Sequence, residues 1–338
     1  MEDSDDYFRS YEEMDVHYLM LNDHPRMIAY KNAIKNNAEL FKNKIVMDVG
    51  AGTGILSVFC AQAGASKVFA VEASNLSKLI EKIVDENNFT DIIKVIHSKL
   101  EDIDCNTVEK VDIIVSEWMG FYLVHEGMLD TVLLARNKFL KPDGLLFPCI
   151  AKLHAVPCQI PEYFDFFNDI YDVKMKSFGD NIRREKSSKP EIMTIKTDNI
   201  LAEEKILAWI DLNTATIEDC NLIGGQDLVF PCTKDGNFSG TCIWFDVEFP
   251  DGSILSTSPY ETPTHWKQTI IILPNQQEVV KDEPIAFRIS LKRDKTNKRR
   301  YNLEFNILNP ETTEHDLPCD CFMTKCIVAK QYIENHCQ

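Results

Sequence analysis

The sequence predicts an α/β protein in which a doubly wound, mainly parallel sheet is followed by an antiparallel β domain. Three features carry this expectation. Between Lys44 and Phe147, short apolar runs alternate with helix-compatible stretches, the pattern of strands buried on both faces of a parallel sheet. The first of these runs ends in a glycine-rich turn that opens into a helical stretch. After Pro148 the runs become β-rich and alternating, with turn signals between them.

The first six residues are acidic and are expected to be disordered. From Tyr7 to about Leu40, the spacing of Met20, Leu21, Met27, Ile28 and Ile34 suits short helices, one interrupted at Pro25. Parallel strands are predicted at Ile45–Val49, Val68–Val71, Ile92–Ile96, Val111–Val115 and Leu145–Phe147. Helices are predicted over Ile55–Ala63, Leu76–Asn87 and Gly127–Phe139. In the second half, strands are predicted at Ala151–Val156, Cys242–Phe249, Thr269–Leu273, Ile285–Leu291 and Tyr301–Ile307. Turns are expected at Pro250-Asp251-Gly252 and Pro274-Asn275, and either a barrel or a sandwich suits this half. The chain thus divides into residues 1–40, 41–147 and 148–338. Within the last part, Pro161–Arg184 is dense in aromatics, including Phe164, Phe166, Phe167, Tyr171 and Phe178. It is either a folded-back piece of core or an arm for another subunit.

At 44% hydrophobic and 26% charged, the 338 residues read as an ordinary globular chain with a substantial core. The formal charge of −17 disfavours phosphate-mediated nucleic-acid binding and would attract cationic partners, although on composition alone solubility is the better account of it. No apolar run reaches membrane-spanning length, so no membrane partner is expected. No signal peptide is recognisable, and the eleven scattered cysteines are expected to be free thiols in a reducing compartment. Cys319 and Cys321 are too close in sequence for a usual zinc pairing, so no metal site is expected. The basic cluster Lys292-Arg293-Asp294-Lys295 and Lys298-Arg299-Arg300 lies between two predicted strands and reads as an exposed hairpin loop.

The strongest local signal runs from Val46 through Asp48, Gly50 and Gly52 to Gly54. Glycines let the backbone turn sharply and let a ligand approach where a Cβ would obstruct it. Their G-x-G-x-G spacing differs from the dinucleotide fingerprint, and no P-loop lysine follows, which suits a nucleoside cofactor without phosphates. Glu72 ends the next strand, where a carboxylate can accept both ribose hydroxyl protons. Glu101, soon after the third strand, could accept from an adenine amine. Either acid alone would read as a solvated loop residue; the ordered set points to a nucleoside site.

Two further carboxylates, Glu117 in Ser116-Glu117-Trp118-Met119-Gly120 and Glu126 in His125-Glu126-Gly127-Met128, follow the fourth strand on one loop. Tyr260 to Gln268, containing Thr264-His265-Trp266, comes later. With these segments in this order, from about Tyr7 to the C-terminal region, the chain resembles the protein arginine N-methyltransferase family. Within it the phrases Ala51–Ser57 and Leu255–Pro259 resemble the type I enzymes, particularly the nuclear sixth subtype.

The resemblance implies S-adenosylmethionine as cofactor, a Rossmann-like sheet, a barrel-like second domain and an N-terminal helical lid. It assigns Phe8, His17, Met20 and Arg26 to the cofactor, with Arg26 pairing its amino-acid carboxylate. Tyr11, Met128 and Trp266 fall to the protein substrate, and Met20 and Met128 match residues lining the acceptor pocket of type I enzymes. Packed-core roles for Met20, Met128 and Trp266 are the plain alternative. The stretch after Pro161 falls where the family has its dimerisation arm, so a homodimer is expected. Expected partners are proteins with exposed arginines, such as histone tails and Arg/Gly-rich segments, in nucleus and cytosol. Two departures stand out: Tyr18 and Leu19 replace two usual acids, and Phe121 replaces a usual tyrosine.

The chemistry suits these residue types. Guanidinium is a poor nucleophile because its lone pairs are delocalised, and its pKa exceeds about 12. Glu117 and Glu126 could clamp its planar fork and hold positive charge away from the attacking nitrogen. His265 is the candidate proton acceptor, held by Asp23; a purely structural His265–Asp23 bridge is equally consistent.

Overall fold

The computed structural model describes residues 14–336. The expected disorder of the first six residues and the roles of Phe8 and Tyr11 therefore lie outside the described residues.

The chain opens with α1 (Met14–Asn22), α2 (His24–Asn36) and the single turn α3 (Ala38–Phe41). The break between α1 and α2 falls at Asp23, not at Pro25. The Asp23 carboxylate accepts the Arg26 backbone N–H as an N-cap, and Pro25 occupies the first turn of α2, where a missing N–H costs nothing. Tyr30 and Ile34 turn one face of α2 into the core, and the Tyr30 hydroxyl donates to the carbonyl of Ser116 at 3.0 Å.

Strands β1 (Ile45–Val49), β2 (Lys67–Glu72), β3 (Ile93–His97), β4 (Val111–Val115) and β5 (Leu140–Phe147) form one parallel sheet in the order β3-β2-β1-β4-β5. Helices α4 (Ile55–Gln62), α5 (Ser77–Glu86) and α6 (Leu129–Phe139) cross between strands. The predicted doubly wound sheet is therefore present, with helix and strand bounds close to those expected. β5 begins five residues earlier than its apolar run because Pro142-Asp143-Gly144 is absorbed into the strand, where its register against β4 shifts between Val111 and Ile113.

The second half holds β6 (Ile150–Cys158), α7 (Pro161–Phe164), α8 (Lys176–Lys186), β7 (Glu191–Met193), β8 (Lys205–Asp211) and β9 (Leu222–Pro231). It continues with β10 (Gly236–Glu248), β11 (Ile254–Ser256), β12 (Gln268–Val279), β13 (Pro284–Arg293), β14 (Tyr301–Ile307) and α9 (Thr324–His336). One antiparallel sheet runs β7-β12-β10-β6-β8 with β11 beside β10, and a second runs β14-β13-β9. Phe238 of the first meets Phe287 of the second, which stacks on Phe230 at 4.7 Å, so the sheets share one core. Pro274-Asn275 is not a turn. β12 continues through it, and the ladder with β10 opens there because proline has no N–H to offer. Gly224-Gly225 likewise resembles a turn but is a bulge inside β9, with φ of +75° and +94°.

Candidate active site

The site lies beyond the carboxyl ends of the parallel strands, where doubly wound sheets place ligands. After β1 the chain takes positive φ at Gly50, Gly52 and Gly54 (+72°, +56° and +79°), a path that L side chains resist. The amides of Gly50 and Ala51 donate to the carbonyl of Val71, which folds the loop over the end of β2. Glu72 then fixes it: one carboxylate oxygen accepts the Gly52 N–H and the other the Ser74 N–H, both at 2.8 Å. Its remaining lone pairs are held in place beside the loop.

A cavity of about 420 Å³ begins at this loop. Its walls bring together twelve of the residues nominated from the sequence: His17, Met20, Arg26, Gly50, Gly52, Glu72, Glu101, Glu117, Glu126, Met128, His265 and Trp266. Glu101, in a short 3-10 turn, accepts from the Thr131 hydroxyl at 2.8 Å. Three nominated residues do not line the cavity. Gly54 caps α4 against Ile80, Asp23 stands behind His265, and Asp48 is fully buried beneath the loop.

Asp48 supports the loop from beneath. One of its oxygens accepts from Ser57 at 2.7 Å and the other has no partner. Burial pushes its carboxyl up to about 7, against a smaller opposing effect from Ser57. The folded state therefore keeps a proton that the unfolded state loses near its ordinary value of about 4. Stability falls as pH rises through that window, and above about 7 the full cost of the buried charge is present. Asp48→Asn is expected to raise the melting temperature by several degrees at pH 8 and little at pH 5. Thermal unfolding at both pH values checks it, and an equal shift at both would contradict a titrating Asp48.

The two carboxylates of the hairpin 116–128 reach the cavity because its backbone is unusually bent. Tyr122, Leu123, Glu126 and Gly127 all have positive φ. Gly120 and Leu123 pair across the hairpin, and a Cβ on Gly120 would stand 2.1 Å from the His125 carbonyl oxygen. The Trp266 indole N–H donates to the Met119 carbonyl at 3.0 Å, tying the β domain to the hairpin. Trp266 is thus both cavity wall and buried strut.

Glu117 is not left facing Glu126 uncompensated. One of its oxygens, Oε2, receives Arg26 Nη2 at 2.7 Å and Nε at 3.0 Å, while Oε1 accepts the Met119 N–H at 3.2 Å. Arg26, expected on the cofactor's carboxylate, here neutralises the acceptor-side acid while still lining the cavity. Its remaining Nη1 donates to the Met20 carbonyl.

His265 and Asp23 meet as expected, with Nδ1 2.6 Å from Oδ2, and the His265 backbone N–H donates to the same oxygen at 2.8 Å. Burial pushes the Asp23 carboxyl up. The hydrogen bonds from the His265 ring and backbone and from Arg26 N–H outweigh that and hold it below the ordinary carboxylate value. An ionised Asp23 only accepts, so the His265 Nδ1 carries a proton.

The sequence reading missed Arg299. The loop between β13 and β14 is a hairpin, as expected, but it is pressed onto the active-site loop: Arg299 lines the cavity and donates to the Glu126 carbonyl at 3.0 Å. Arg293 pairs with Asp130 on α6 and donates to Tyr301 at 2.8 Å. A basic cluster next to a strongly acidic chain was the available signal.

This fold and site define the class: a doubly wound, nucleoside-cofactor methyltransferase with a β domain closing its pocket. A family profile described as ribosomal protein L11 methyltransferase matches residues 32–144, and one described as arginine methyltransferase oligomerization subdomain matches residues 149–308. The chain is 39% identical over 321 residues to protein arginine N-methyltransferase 6 of Danio rerio, covering 91% of this chain and 90% of that one. It is 38% identical to protein arginine N-methyltransferase 1 of Caenorhabditis elegans, with 90% and 87% covered. Among solved structures, the Trypanosoma brucei PRMT1 enzyme–prozyme complex with AdoHcy superposes with a TM-score of 0.79 at 33% identity, over 91% of this chain and 98% of that one. A PRMT6–SAH crystal structure superposes at 0.77 and 29% identity, over 88% and 100%. The chain belongs to the protein arginine N-methyltransferase family.

Proposed function

We propose that this protein transfers methyl groups from S-adenosylmethionine to arginine side chains of other proteins, forming mono- and asymmetric dimethylarginine. One observation carries the reading: Glu117 and Glu126 line the same cavity as the glycine loop and Glu72. The residues fit the cofactor. Glu72 offers fixed acceptors to a ribose, Glu101 an acceptor to an adenine amine, and Arg26 a cation to a carboxylate. When bound, the cofactor supplies a methyl group activated on a sulfonium.

The chain's own part is positioning and electrostatics. Two carboxylates grip the guanidinium fork, hold its charge away from one nitrogen, and leave that nitrogen's lone pair available for attack. Good orientation alone can be worth about 7–11 kcal/mol. The proton released from the methylated nitrogen goes to His265 Nε2, whose ring Asp23 orients. The negative chain draws in arginine-rich partners such as histone tails in nucleus and cytosol. A homodimer is supported by the segment 161–186, which leaves Phe166, Tyr171, Val173 and Phe178 more than half exposed on a projecting arm.

Labelled S-adenosylmethionine and an arginine-rich histone peptide, followed by mass spectrometry of the methylarginine isomer, test the reading. Asymmetric dimethylarginine is expected. Symmetric product would overturn the type I assignment. Cofactor binding without any transfer would favour a non-catalytic dimeric scaffold.

A further inference from the structure

We propose that the C-terminal segment carries a structural zinc site built from His315, Cys319, Cys321 and Cys326. It lies beyond residue 308, where the oligomerization-subdomain match ends, and shares no residue with the cavity described above.

The four potential ligand atoms all lie within 4.8 Å of one another, and all four residues are buried. His315 Nδ1 stands 3.5, 3.4 and 3.1 Å from the sulfurs of Cys319, Cys321 and Cys326. A tetrahedral zinc with Zn–S near 2.3 Å and Zn–N near 2.0–2.1 Å requires S···N edges of about 3.5 Å. The cluster therefore already has nearly the dimensions of a zinc coordination sphere. Three thiolates and one imidazole form a soft, closed donor set that selects zinc over oxygen-seeking cations.

The surroundings are arranged as ligand supports. His315 Nε2 is 2.8 Å from the Pro310 carbonyl, so it donates its proton there and turns the Nδ1 lone pair toward the sulfurs. Lys325 Nζ holds the same loop through the Thr313 carbonyl at 2.9 Å. Cys326 sits in the first turn of α9, which fixes its sulfur opposite His315 Nδ1 at 3.1 Å.

The segment also needs such a staple. Its buried apolar cluster consists of the three cysteines with Met323 against them, separate from the main core, while Ile327, Val328 and Tyr332 of α9 are exposed. So small an apolar core does not hold a helix by itself. With zinc bound, the module is fastened to the β domain by the Phe322 N–H on the Asp282 carbonyl and by the Lys205–Asp316 ion pair. The expectation that Cys319 and Cys321 could not serve a metal is thereby revised. Their one-residue gap is short for a chelating pair, but His315 and Cys326 complete the set from either side.

The test uses the full chain purified under reducing conditions without chelator or polyhistidine tag. Elemental analysis is expected to find about one zinc per chain, and Co(II) exchange to give the absorption of tetrahedral cobalt thiolate. A Cys321→Ser/Cys326→Ser double variant is expected to lose most of the metal. If that variant does not fold, the wild type decides: chelation should abolish hydrogen-exchange protection across 315–336 while sparing 45–147, and added zinc should restore it. A chain that takes up neither Zn(II) nor Co(II) overturns the site. So does a double variant with undiminished zinc, or a disulfide among these cysteines in freshly isolated protein.

Discussion

Glu126→Gln is expected to lower turnover about 100- to 1000-fold, the usual loss when one preorganised electrostatic group is removed, while product-cofactor affinity stays within a few-fold. The backbone around Glu126 shows why the position matters. Its φ of +79° places a non-glycine residue in the left-handed region, a cost of about 1–3 kcal/mol. The chain sustains that conformation with the Arg299 donor on the Glu126 carbonyl and with Gly127 pressed so close to Arg299 that a Cβ there would stand 2.9 Å from its Cα. Glutamine keeps the shape and loses the charge. Glu117→Gln should match the loss in turnover and also weaken cofactor binding, because it releases Arg26 from an ion pair at 2.7 Å. Initial rates with an arginine peptide and calorimetry with the product cofactor separate the two effects. Near-normal turnover by the Glu126 variant would defeat the clamp.

Much of this arrangement was legible in the sequence because it lies in local patterns. Buried strands such as Ile45–Val49 and Val111–Val115 are apolar runs broken only by one aspartate each, and the glycine spacing after β1 names its own backbone path. The acids at 72, 101, 117 and 126 stand at or beyond the carboxyl ends of strands, so knowing the strands places them together. What was not legible depends on register or on distant partners. Nothing local distinguishes Gly224-Gly225 as a bulge from a turn, since the difference lies in the pairing with Ser290 and Leu291. The Arg26–Glu117 pair joins positions 91 residues apart, and Arg299 reaches Glu126 across 173. The burial of Asp48 is hidden for the same reason: only the packing of Ser57 reveals that its carboxylate faces inward. The clustering of His315, Cys319, Cys321 and Cys326 was invisible to a pairwise spacing rule, because a folded loop brings the four together.

Asp23→Ala is expected to destabilise the protein by about 1–3 kcal/mol, the cost of leaving buried N–H donors without their acceptor. A single carboxylate here accepts the His265 ring and backbone N–H groups on one oxygen and caps α2 through the Arg26 N–H on the other. It therefore joins the N-terminal helices to the β domain and anchors Arg26 and His265, both in the wall of the cavity. Because the folded Asp23 carboxyl is held below its ordinary value, its stabilisation is present above the unfolded value of about 3.9 and is lost as pH falls through the folded one. Acid titration of wild type and Asp23→Asn should show that extra loss only in the wild type. Turnover distinguishes bridge from base. If His265 receives the proton through Nε2, His265→Gln lowers turnover while sparing affinity for the product cofactor. A His265→Gln enzyme with full activity would leave the pair a strut between lid and β domain, with product deprotonated directly by solvent.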